Sequence, residues 1–85
     1  MTRGWKLVLN EGAVERLLAC RAKRRQTLIR FLEELRAEPQ SRGDFQERDD
    51  TGRELQVKRH HEFLLTFWTD HSAKEVRIVD IEPIL

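Results

Sequence analysis

Along the chain, apolar positions recur first in alternation, then at helical spacing, then in alternation again. Trp5-Lys6-Leu7-Val8-Leu9 is short and alternating, which predicts a strand. Asn10 follows as a helix N-cap, with Glu11 where a carboxylate meets the positive end of the helix dipole. Ala13, Val14, Leu17 and Leu18 form one apolar stripe, and Leu28, Phe31, Leu32 and Leu35 form another. Between them, Cys20 to Lys23 carries no strong apolar residue in phase with either stripe. The spacing predicts a helical hairpin bent near that point, with one long kinked helix as the alternative. Pro39 closes the second helix, and Gln40 to Gly43 reads as a loop.

The rest of the chain reads as strands. Phe45 to Arg48 is a short edge strand, and Asp49-Asp50-Thr51-Gly52 is a tight turn. Arg53 to Arg59 and Phe63 to Thr69 both alternate and predict a hairpin. A two-residue loop at His60-His61 would pair Lys58 with Phe63 and mix charge into the core face. A three-residue loop, His60-His61-Glu62, pairs Val57 with Leu65 and Leu55 with Phe67. A one-residue slip moves every side chain to the other face, so the pattern favours the longer loop. In that register Leu55 and Val57 face the helices, while Glu54, Gln56, Lys58, Leu64, Thr66 and Trp68 face away. The last strand, Val76 to Glu82, has apolar residues in both phases, so either Arg77 or Asp80 belongs to the outer face. The fold class is α+β: a strand, a helical hairpin, then an antiparallel sheet with the helices packed on one face.

Eighty-five residues make a single domain, 1–85, because a second could not enclose its own core. Sixteen Lys+Arg nearly balance fifteen Asp+Glu, but they are unevenly spread. Arg16 to Arg30 holds six basic residues and no acidic one, whereas Glu33 to Glu54 holds eight acids against four Arg. That asymmetry suits a polyanion on one side and a basic partner on the other, or simply a solvated helix face beside an acidic loop. The single Cys20 excludes an internal disulfide, and no Cys/His spacing suggests zinc. No apolar run approaches the ~20 residues that span a bilayer, and no apolar signal segment opens the chain, so no membrane is expected and the expected location is cytoplasmic.

Arg53, Lys58, Arg59, His60 and His61 gather on the predicted outer face and its rim, with Trp68 and Arg77 nearby. Cations beside an exposed aromatic suit nucleic acid: charge grips phosphate, and the indole offers a base a surface to stack on. His60 and His61 are adjacent imidazoles, the side chain best poised for proton transfer near neutral pH. RNA cleavage needs a base for the 2′-hydroxyl, an acid for the leaving oxygen and cations for the charged phosphorane. The patch holds those residue types. The same residues also read as a hairpin tip, an outer apolar cluster capped by Trp68, and an Arg77–Asp80 ion pair. His71 has no evident partner, and three dispersed histidines make no metal site; no cofactor is implied. Arg21, Arg24 and Arg25 stand near the start of the second helix, where cations oppose the dipole. That arrangement suggests contact with an acidic partner or RNA.

The order and spacing of these segments resemble the RelE/ParE superfamily of toxin–antitoxin toxins, over nearly the whole chain from Trp5 to Ile84. The resemblance is carried by Trp5-Lys6-Leu7-Val8-Leu9, the helical hairpin with Leu28, Phe31, Leu32, Leu35 and Pro39, and the run from Gly52 to Lys58. Leu64-Leu65-Thr66-Phe67-Trp68 and Glu75 to Ile81 complete it. It implies a cognate antitoxin whose C-terminal segment wraps the chain. RelE-like members cleave messenger RNA on the ribosome using basic residues on the sheet; ParE-like members poison DNA gyrase. By resemblance Lys58 falls near a strand that carries functional lysines. Leu64 stands where the nucleases typically have Arg, and the chain reaches Leu85 without their basic tail. Three activities therefore stay open. One is an endoribonuclease in which Lys58, Arg59 and Arg77 hold phosphate and His60 or His61 moves protons. The second is a gyrase inhibitor acting by binding, and the third a non-toxic homologue that only binds an antitoxin. A homodimer and a toxin–antitoxin hetero-oligomer are both open.

Overall fold

The computed structural model describes residues 4–84. Strand β1 (Lys6–Leu9) leads into α1 (Glu11–Ala19) and α2 (Ala22–Ala37), followed by β2 (Phe45–Arg48), β3 (Glu54–His60), β4 (Phe63–Asp70) and β5 (Glu75–Pro83). The strands form one sheet in the order β1-β5-β4-β3-β2. Strands β2 to β5 are antiparallel, as the pattern predicts, and β1 adds a parallel edge with Leu7 opposite Val76 and Leu9 opposite Ile78.

The helix boundaries follow local chemistry. Asn10 Oδ1 accepts the Ala13 N–H at 2.8 Å, and its Nδ2 donates to the Val79 carbonyl at 2.5 Å, fixing the start of α1 to β5. The chain is extended at Cys20 and Arg21, so the helices are two and the bend lies where the stripes lose phase. Leu28, Phe31, Leu32 and Leu35 of α2 are buried with Ala13, Phe63, Leu65, Phe67, Val76, Ile78 and Ile81 in one core. Helices α1 and α2 lie over β1 and β5.

The β3–β4 register corrects the sequence expectation. His60 pairs with Phe63, Lys58 with Leu65 and Gln56 with Phe67, around a two-residue turn of His61 and Glu62. His61 takes φ 55, the positive first position that a tight hairpin turn demands. Neither expected loop forms, and β3 is turned over relative to the reading. Gln56, Lys58 and His60 now share the helix side with Phe63, Leu65 and Phe67. Leu55 and Val57 face away with Leu64, Thr66 and Trp68, and although buried they stand outside the main core. The charge that the alternation argument kept out of the core face is tolerated because the helices lie over β1 and β5, leaving the β3 side less covered. The Lys58 stem runs in a depression bordered by Phe31 and Leu35, while its ammonium reaches Asp44 at 3.7 Å.

The Arg77/Asp80 alternative resolves as both. A register irregularity between Thr66 and Phe67 puts Asp80 opposite Thr66 and Arg77 opposite Trp68, so both share the outer face. Among the described residues, no helix is long and apolar enough to cross a membrane.

Candidate functional site

The expected constellation does not assemble; the sheet separates it into two groups. On the open face, Arg53 lies over the Trp68 indole with its guanidinium carbon 3.9 Å from the ring centroid, and Arg77 stands 5.7 Å away. Both cations also have carboxylates nearby: Asp49 is 3.6 Å from Arg53, and Glu75 is 2.7 Å from Arg77. Leu55, Val57 and Leu64 make up the neighbouring positions of this face, with Phe45 of β2 opposite Val57 and 48% exposed.

The histidines belong to the other side. His60 stacks on Phe31 of α2 with ring centroids 4.0 Å apart, and His61 meets His60 edge-on at 4.5 Å. Nε2 of His60 is buried and has no hydrogen-bond partner among the described residues. Burial lowers the His60 pKa below the usual imidazole range; His61 and Lys58 act in the same direction and Glu34 against it. Arg59 is exposed, its backbone N–H held by Asp44 Oδ2 at 2.9 Å and its Nε 3.4 Å from the His61 carbonyl. The Arg59 backbone bond, with Lys58 beside it, keeps the Asp44 carboxyl below its ordinary pKa.

His60 gives the fold a specific pH dependence. The folded state binds this proton less readily than the unfolded chain, so the stabilising neutral form is fully present above an imidazole pKa of about 6.5 and is lost as the pH falls below it. Urea midpoints should therefore drop between pH 7.5 and pH 5, and the drop should shrink in His60→Gln. The Asp44 and Asp49 contributions have the opposite residue type and a lower window, being lost only below the ordinary carboxylate pKa. An equal drop in His60→Gln would assign the dependence elsewhere.

The basic segment of the helical hairpin is occupied structurally. Arg25 donates to the carbonyls of Leu17 and Leu18 at 3.2 Å each and of Cys20 at 2.7 Å, closing the C-terminus of α1. Arg24 pairs with Glu62 at the β3–β4 turn at 2.9 Å. Arg16 Nε donates to the Ile81 carbonyl at 3.2 Å. Arg21 is exposed and makes no cap bond to α2. The sequence reading missed Asp44, Glu62 and the Phe31–His60 stack because each joins residues far apart in the chain. No group of three or more His, Cys, Asp or Glu converges on a metal site among the described residues.

No family model matches the sequence, and no curated protein matches it either. Solved structures do match in shape. The isolated RelE toxin of E. coli superposes with a TM-score of 0.77 at 13% identity, covering 95% of this chain and 85% of that one. The fold is that of the RelE toxins. The toxin–antitoxin complex RelBE2 of Mycobacterium tuberculosis gives a TM-score of 0.76 at 16% identity, covering 94% of this chain and 98% of that chain. The archaeal RelE–RelB complex of Pyrococcus horikoshii gives 0.74 at 14% identity, with 94% of each chain covered. Within this RelE fold, the open sheet face around β3 and β4 presents Leu55, Val57 and Leu64 beside Arg53, Trp68 and Arg77, and Lys58, expected on that face, lies on the helix side.

Proposed function

We propose that this chain is the toxin of a toxin–antitoxin pair and that it acts by binding its target rather than by cleaving RNA. A cognate antitoxin is its resident partner, as in the complexes that share its fold. The observation that carries the binding mode is the division of the candidate groups. His60 and His61, the residues suited to proton transfer, lie on the helix side, while Arg53, Trp68 and Arg77 lie beyond the sheet. A phosphodiester held by the second group is out of reach of the first, and general acid–base transfer requires hydrogen-bond distance or one bridging water. DNA gyrase is the leading target under this reading.

A second reading is favoured by the Arg53–Trp68–Arg77 stack. Two guanidinium groups at an indole suit single-stranded RNA, and this face would then carry nucleic-acid contact without the histidines. Inducible expression in a bacterial host separates the two. Growth arrest with a DNA-damage response and intact message supports target binding, and His60→Ala/His61→Ala should leave that arrest unchanged. Arrest with message decay, abolished by Trp68→Ala or Arg77→Ala, would replace it with RNA cleavage. Rescue by the product of the adjacent coding sequence tests the antitoxin. Healthy growth at confirmed expression would reduce the role to antitoxin binding.

A further inference from the structure

A cavity of about 240 Å³ opens between the N-terminal half of α2 and the β3–β4 turn. Its apolar floor is Leu28 and Phe63, both buried in the core. Lys23, Arg24 and His61 stand around its mouth, and His60 forms one wall with its unpartnered Nε2. The carboxylate at this mouth, Glu62, is already engaged by Arg24 at 2.9 Å. Lys23 makes no ion pair among the described residues. The pocket thus offers room for one large apolar side chain, set among cations and next to a polar atom that lacks a partner. A buried nitrogen without a hydrogen bond is costly, and a ligand able to reach it gains what the unliganded fold forgoes.

We propose that this cavity docks an acidic peptide segment of the antitoxin, with an aromatic or aliphatic side chain seated on Leu28 and Phe63 and flanking carboxylates against Lys23 and His61. This rests on the toxin–antitoxin reading above and names the chemistry of the partner it requires. Two features exclude the opposite charge pattern. A basic segment would meet Lys23 and Arg24, with Glu62 already engaged, and an uncharged one would leave the Lys23 ammonium without a counter-charge. The pocket also couples binding to protonation. Glu34 from α2 faces His60, as do Lys58 and His61 from its own hairpin, with Lys23 and Arg24 at the rim. A peptide carboxylate added to that set favours the imidazolium, so binding takes up a proton and strengthens as the pH falls toward 6.

The test is an NMR titration of the whole chain with the peptides Ac-Glu-Phe-Glu-NH2, Ac-Gln-Phe-Gln-NH2 and Ac-Lys-Phe-Lys-NH2, and with phenylacetate as a free small acid. The acidic peptide should perturb Leu28, His60 and Phe63 and bind about three- to fivefold tighter than the neutral one, the yield of one exposed charge contact. The His60 titration should move upward on saturation. Lys23→Met, which leaves the core untouched, should cut the acidic peptide's affinity about three- to fivefold. Equal affinity for all three peptides, shifts confined to another surface, no binding, or an unmoved His60 titration would overturn the proposal. Phenylacetate matching the acidic peptide would overturn it in favour of a small carboxylic acid. Rescue by the adjacent gene product without any peptide response would leave the antitoxin reading intact and remove this pocket from it.

Discussion

Gly43→Ala is expected to destabilise the fold by about 2–3 kcal/mol, the upper range for forcing extra volume into a filled site. A Cβ at this position would sit 2.5 Å from the Val57 carbonyl oxygen, 2.6 Å from its nitrogen and 2.8 Å from its carbonyl carbon. All three are backbone atoms of β3, so no side chain can swing aside to make room. The loop that delivers β2 must instead lift away. That breaks the bonds from Asp44 N to the Val57 carbonyl at 2.8 Å and from Gly43 N to Gln56 Oε1 at 2.7 Å. A domain of this length has a total stability of roughly 4–13 kcal/mol, so the loss is a large share. Urea unfolding measures it, with Gly12→Ala as the contrast. There the nearest atom is Asn10 Oδ1 at 3.8 Å, and alanine in a helix gains up to about 1 kcal/mol over glycine. A Gly43→Ala protein as stable as the parent would refute the close approach of loop and strand.

Arg25→Met should cost about 1.5–3 kcal/mol, the range for hydrogen bonds made by a charged group. Methionine keeps the apolar stem but removes every donor, and the last carbonyls of α1 lose the guanidinium that satisfies them. The positive charge at the negative end of the helix dipole goes as well. Arg25→Lys should recover only part of the loss, since an ammonium cannot reproduce the planar fork that reaches three carbonyls. Arg21→Met, at an exposed residue without a cap bond, should change stability by less than about 0.5 kcal/mol. Chemical denaturation of the three variants at neutral pH decides the matter. If Arg21→Met and Arg25→Met cost the same, the effect is one of net charge and the capping role is wrong.

These two residues also mark how far the sequence could be read. Both helices and the β3–β4 hairpin strands were legible from their apolar period, β2 from the turn residues that follow it, and the hairpin bend because two stripes fall out of phase at Cys20 to Lys23. The β3–β4 register was not. It is decided by the backbone at His61, whose positive φ leaves no trace in the alternation of polar and apolar residues. The polarity argument then misled, because it assumed that the helices cover every strand. Lys58 sits on the helix side at low cost since it reaches Asp44 past the flank of α2. The candidate site inherited that slip. Lys58 and His60 went to one side, while Arg53, Trp68 and Arg77 stayed on the other. Arg25 was singled out for its charge, but its partners are carbonyls in the preceding helix, and a spacing rule for side chains cannot see them.

The pairing of β1 with β5 bears on the order in which the chain can fold. Lys6 lies opposite Glu75, and Arg16 reaches the Ile81 carbonyl, so the first strand and helix find their sheet partner only in the last strand. Val76, Ile78 and Ile81 of that strand complete the core beneath Ala13 and Leu28. Contacts of such sequence separation form late and slow the folding of a small domain. During synthesis the helical hairpin therefore emerges with its apolar stripe uncovered, and the surface beneath it is complete only once β5 has been made. A partner already present in the cell meets an open chain before it can meet a finished one.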